Sequence, residues 1–240
     1  MKRMSIAALT AAITAAVCPL GTASAQIAGG SLDPNAVPKF QRPLVIPPAM
    51  PRKAVLPGPG NSRIDYYEIA QRQFEQQIFP SGLPATTVWG YGAPQDPSSF
   101  HYPSPTIEAR FRRPVRVKWI NQLVDANGNY LPHLLPVDQT LHWANPPGAR
   151  DSKGTDPNRY LGPVPMIPHV HGAETFQESD GYPEAWTLPA AANIPLNFFR
   201  TGTYYDLNKS SSPLGPQWSD GNMVFEYPNE QAATTLWYHD

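Results

Sequence analysis

In residues 113–123, "RPVRVKWINQL", Val115, Val117 and Trp119 alternate with Arg116, Lys118 and Ile120. Successive strand side chains point to opposite faces, so this pattern predicts a strand with one face inward. "DANGN" at 125–129 is a turn signal. "DQTLHWA" (138–144), "MIPHVHG" (166–172), "NMVFEYPN" (222–229) and "TTLWYH" (234–239) read as further strands. Short strands separated by turn residues predict an all-β sandwich. Residues 189–222 are rich in Pro, Asn, Ser and Gly and read as a long excursion between strands.

Residues 62–79, "SRIDYYEIAQRQFEQQIF", carry two patterns at once. Ile64, Tyr67, Phe74 and Ile78 form a helical stripe, whereas Tyr66, Ala70, Phe74 and Ile78 fit one face of a strand less cleanly. Local pattern alone favours a helix here.

Composition narrows the picture. The chain has 240 residues, 41% of them hydrophobic and 15% charged, which suits one domain with a substantial core. Thirty prolines and 17 glycines argue against long helices. The net charge of −1 leaves no basic stripe for nucleic acid. Lys2 and Arg3, the apolar run 6–17 and the small residues Ala23, Ser24 and Ala25 predict an export signal over 1–25, cleaved after Ala25. The apolar run is too short to span a membrane stably. Cys18, the only cysteine, lies within that signal. An exported chain starting at residue 26 would therefore have neither a disulfide nor a thiolate metal ligand. Residues 26–60 form a Pro-rich leader. Its eight prolines fit extended chain laid over a partner surface, or a disordered linker.

Histidines carry the candidate chemistry. Residues i and i+2 of a strand share a face, so His169 and His171 present two imidazoles together. Imidazole pairs suit copper, zinc, iron or nickel, but His-x-His alone is a weak signal. Gly172 would let another group approach the backbone closely. A cupin site would recruit Glu174, although the cupin spacing is longer than the one here. A zinc site of strand histidines would have to take His142, which no spacing marks. His101, His133 and His142 read as ordinary polar or packed histidines.

The longer string "HVHGAETFQESDGYPEAW" (169–186) resembles the first copper motif of the multicopper oxidases, in the branch of spore-coat laccase and bilirubin oxidase. "TTLWYHD" (234–240) resembles the start of that family's second motif, W-Y-H-D-H. "PSPTIEARFRRPVRVKWINQL" (103–123) and "LPATTVWGYG" (83–92) are similar to its flanking strands. The resemblance covers roughly 63–240 and is weakest at 187–225.

Several expectations follow from it. The fold would be a cupredoxin-like Greek-key β-sandwich over 61–240, and residues 62–79 would be a strand. His169 would bind type 2 copper. His171 and His239 would bind the type 3 pair of a trinuclear cluster that this chain supplies only in part. Asp180 would relay protons during reduction of dioxygen, unless it merely caps the turn in "SDGYP". The partners would be dioxygen, a reducing substrate (a phenol, a tetrapyrrole or a metal ion) and further cupredoxin domains. The family's type 1 copper needs a Cys thiolate, which this chain without its signal lacks. The second motif stops one residue short of its second histidine. The chain is thus expected to be an incomplete cupredoxin domain, lacking its last strand and leaving a sheet edge open. The alternative functions are a stand-alone exported metal-binding sandwich, holding copper or zinc, and an inactive remnant.

Overall fold

The structure, a computed structural model, describes residues 32–154 and 156–240. The expected signal peptide and the start of the Pro-rich leader lie outside the described residues.

The centre of the fold is β2 (Arg63–Gln76). β4 (Val115–Asn121) runs parallel to it along one edge. Its other edge is shared end to end by β1 (Ala54–Pro57) and β3 (Thr86–Gly92), both antiparallel. Residues 62–79 are thus mainly strand, as the resemblance implied and against the local helical pattern. Ile64, Asp65, Tyr67, Ile69, Ala70 and Gln71 are all buried, so the middle of β2 is covered on both faces. A strand buried on both faces loses the alternation that would reveal it. Its Ile and Tyr residues suit a pleated sheet better than a helix.

The alternation in 113–123 has the predicted meaning. In register, Tyr67, Val117 and Phe225 lie side by side, as do Ile69, Trp119 and Met223. These rows run from β2 through β4 to β8 (Asn222–Tyr227) and form the main core. Trp119 is fully buried, and its Nε1 donates to Tyr227 Oη at 3.2 Å. On the opposite face Arg116 donates to Glu226 Oε2 from Nε (2.9 Å) and Nη2 (2.7 Å).

The Pro-rich leader joins this sheet. Besides giving β1, it places Met50 in the core, and the Met50 N–H donates to Thr106 O at 2.8 Å. Asp65, buried in β2, accepts from Arg52 at 2.7 Å and Arg113 at 2.5 Å. That pair of ion pairs ties the leader to the central strand.

Elsewhere the expected strands are shorter. Within 138–144 only the end is strand, because the Asp138 carboxylate accepts the Thr140 N–H at 2.9 Å and turns the chain. β5 (His142–Asn145) then pairs with β6 (Arg150–Lys153). Within 166–172, Met166 makes an isolated bridge to Thr187, and β7 is His169–His171. The excursion 189–222 holds α1 (Tyr205–Ser211) and sits beside a second small core around Trp186 and Leu188. All other regular elements described are strands or short 3-10 turns, so the all-β class holds. None of the described helices is long and apolar enough to cross a membrane.

β7 pairs with β9 (Trp237–His239), and this ladder packs over the core face of the main sheet through Val170 and Tyr238. Among the described residues β9 pairs only with β7. Beside it lies a cavity of about 720 Å3 bounded by Tyr91, Val117, Tyr227 and Leu236.

Candidate metal centre

The ladder has three registered pairs, His169 with His239, Val170 with Tyr238, and His171 with Trp237. Paired residues share a face, and so do residues two apart. Val170 and Tyr238 therefore point one way, and the three histidines and Trp237 the other.

Tyr238 fixes which way is inward. Its ring lies 5.6 Å from that of Trp119 and 5.3 Å from that of Tyr91. Its hydroxyl donates to Pro105 O at 2.6 Å. Ring and hydroxyl are both satisfied in the core, so the opposite face of β9 turns away from it. At the end of β9, Asp240 Oδ1 accepts the Ile167 N–H at 2.6 Å and holds the strand against the entry to β7.

The outward face gathers the imidazoles. Ring centroids lie 5.5 Å apart for His169 and His171, 5.5 Å for His169 and His239, and 5.9 Å for His171 and His239. One ring nitrogen from each falls within 4.8 Å of the others. Metal–imidazole bonds are about 2.0 Å long, so this spacing is on the scale of metal coordination.

Hydrogen bonds decide which nitrogens are free. His169 Nδ1 meets the backbone carbonyl of Asp180. A carbonyl only accepts, so Nδ1 carries the proton and Nε2 keeps its lone pair. His239 Nδ1 faces the main-chain oxygen of Asp240 at 3.2 Å, which leaves its Nε2 as the free acceptor. That Nε2 is buried without a hydrogen-bond partner. Buried polar atoms normally have partners, and a metal ion would supply this one. Three neutral imidazoles suit copper and also zinc, iron or nickel.

Asp180 sits at the rim. Its side chain is 52% exposed, and its Oδ1 lies 3.5 Å from His169 Nδ1. It also caps the 3-10 turn Gln177–Ser179, with its N–H on Gln177 O at 3.4 Å. That cap is made by the backbone N–H and does not depend on the aspartate side chain. The contact that orients His169 comes from the residue's backbone. Gly181 makes that contact possible: its φ is +82°, and a Cβ there would stand 2.1 Å from Pro168 O. Gly172 differs from the expectation. Its φ of +84° explains the glycine, but a Cβ would meet nothing nearer than Leu236 at 3.4 Å, so no close approach depends on it.

The remaining candidates lie elsewhere. Glu174 is exposed and outside the histidine cluster, as a cupin site would not allow. His142 is 3.4 Å from Glu184, and His101 Nδ1 faces Pro103 O at 3.0 Å. His133 packs between the rings of Trp89 and Tyr160. Burial, helped by the Arg159 charge, lowers its pKa to about 4. The sequence alone does not mark Trp237, Asp240 or Gly181 as parts of the site. Only Trp237 carried a usable signal, since it lies two residues before His239 on a strand.

No protein-family profile matches the chain. It is 33% identical over 175 residues to a laccase of Bacillus subtilis, covering 73% of this chain and 25% of that protein. It is 32% identical over 165 residues to "Multicopper oxidase LPR1 homolog 3" of Oryza sativa, covering 68% of this chain and 23% of that protein. A crystal structure of a multicopper oxidase from Pediococcus acidilactici matches 85% of this chain and 26% of its own, with 16% identity and a TM-score of 0.43. The chain thus spans about a quarter of the length of the curated relatives it matches.

Proposed function

The chain is a relative of the multicopper oxidases, laccases among them, and we propose that it is the copper-binding N-terminal part of an exported laccase-like oxidase. Its domain is a cupredoxin-like sandwich. The whole oxidase removes electrons singly from a reducing substrate (a phenol, a tetrapyrrole or a metal ion) and reduces dioxygen to water. One observation carries this reading: His169 and His171 from one motif meet His239 from another, 68 positions or more away in sequence, on one face of a single ladder.

In this reading His169 is the type 2 ligand, and His171 and His239 are type 3 ligands. Bound copper supplies the one-electron redox chemistry. The protein's own part is to hold the imidazoles. Asp180 O keeps the proton on His169 Nδ1 and so presents Nε2. The Asp240 main-chain oxygen does the same for His239. Tyr238 pins β9 to the core so that its outward face stays in place. In this reading the Asp180 carboxyl, exposed beside His169, relays protons. The remaining copper ligands and the type 1 site belong to further cupredoxin domains. Export through a signal cleaved after Ala25 is part of the same proposal.

Sequencing the source gene past codon 240 tests this reading. A histidine two positions after His239, followed later by a His-Cys-His string, is the expected result. A downstream sequence without either in any frame would overturn it.

A further inference from the structure

The outward face of the β7–β9 ladder is a two-by-two array. Histidines occupy three corners and Trp237 the fourth. The indole lies almost flat against His171, with centroids 5.0 Å apart and planes at 17°. It also stacks on His239, at 4.3 Å and 30°. No ring contact joins it to His169 among the described residues. Trp237 is 59% exposed, so it is not a core residue that happens to touch the site. Its aromatic contacts are with two imidazoles, those of His171 and His239. An imidazole on a strand swings about χ1 and χ2 unless something blocks it. His169 is blocked by its hydrogen bond to Asp180. His171 has no such hydrogen bond among those described, and His239 has only one to its own neighbour.

We propose that Trp237 is a positioning residue: its indole face holds the His171 and His239 rings in the orientation that keeps one nitrogen of each within 4.8 Å of a His169 nitrogen. It fixes by stacking the two imidazoles that hydrogen bonding leaves least restrained. The part of this inference that concerns copper rests on the function proposed above; the part that concerns ring orientation does not.

The test uses the full chain, Trp237→Ala and Trp237→Phe, with two readouts. The first is the ring proton and carbon NMR signals of the metal-free protein. Ring current from the indole should shift the His171 and His239 signals upfield. Trp237→Ala should abolish that shift and leave His169 in place, and Trp237→Phe should keep part of it. The second is Cu2+ affinity by calorimetry. Groups that orient metal ligands typically change affinity on the order of 10-fold or more. Trp237→Ala should weaken Cu2+ by about that factor, and Trp237→Phe should recover most of it. His171 and His239 signals that do not respond to Trp237→Ala would overturn the inference. So would wild-type Cu2+ affinity in that variant. If the unmodified chain retains no Cu2+, the copper reading fails, and nuclear Overhauser contacts of the His171 and His239 rings with the His169 ring, present in the unmodified chain and lost in Trp237→Ala, decide whether Trp237 orients the imidazoles.

Discussion

The imidazole of His169 is held by the main chain of Asp180, not by its carboxylate: Nδ1 donates to the Asp180 carbonyl, while Oδ1 stands off at 3.5 Å. In the proposed function, orientation of His169 and movement of protons by the Asp180 carboxyl are therefore separable. Asp180→Ala should leave His169 in the Nδ1–H form and change Cu2+ affinity by no more than about two-fold, as for other exposed substitutions. Nitrogen NMR of the His169 ring reads the tautomer directly. An Nε2–H ring in the variant would mean that the carboxylate, not the carbonyl, sets the orientation.

Gly181 makes that contact possible. Alanine there would enter the left-handed region, at about 1–2 kcal/mol, and would press its Cβ on Pro168 O. Gly172 has a similar φ with open space around it. Gly181→Ala should thus be the more damaging of the two, by several degrees in melting temperature. Equal melting temperatures for the two variants would show that the close approach carries no weight.

Tyr238 anchors β9 through its ring and its hydroxyl. Tyr238→Phe keeps the ring and should cost about 1 kcal/mol, the usual worth of one hydrogen bond. Tyr238→Ala empties the site between Tyr91 and Trp119 and should cost about 3–5 kcal/mol. Denaturant unfolding gives both values. In Tyr238→Ala the Cu2+ affinity should fall together with stability, because His239 loses its mounting.

His133 gives the fold a pH dependence away from the cluster. Its folded pKa, about 4, lies below the ordinary value of 6.5 because burial disfavours the charged ring and Arg159 adds to the effect. Between those values the unfolded chain binds a proton that the folded chain does not. The neutral ring's contribution is therefore complete above about pH 6.5 and is lost as the pH falls toward 4. Its size is at most about 3 kcal/mol. His133→Gln should flatten this part of the stability curve. A wild-type curve already flat from pH 6.5 to 4 relative to the variant would contradict the assignment.

The sequence was most legible where one face of a strand is buried. Val115, Val117 and Trp119 alternate cleanly because their neighbours face outward, and the strand lies where the pattern says. β2 was illegible for the opposite reason: with Ile64, Asp65, Ala70 and Gln71 all buried, no period of two survives. Asp138 turned what read as a strand start into a side-chain-capped turn. The His169–His171 pair was legible from spacing. Bringing His239 to it required a pairing between strands 66 to 70 positions apart, which only the resemblance to a known motif pointed to. Backbone atoms were beyond reach altogether. Nothing in the letters of "SDGYP" says that the Asp180 carbonyl, rather than its carboxylate, meets His169.

In the proposed function His169, His171 and His239 together hold copper. Adding Cu2+ to the purified full chain and recording the paramagnetic resonance spectrum, with pulsed detection of coupled imidazole nitrogens, tests it most directly. The expected result is a bound Cu2+ signal coupled to histidine nitrogens, lost or strongly weakened in His169→Ala and in His239→Ala and unchanged in His142→Ala. A folded chain whose spectrum is that of free Cu2+, or whose bound signal survives both His169→Ala and His239→Ala, would contradict it.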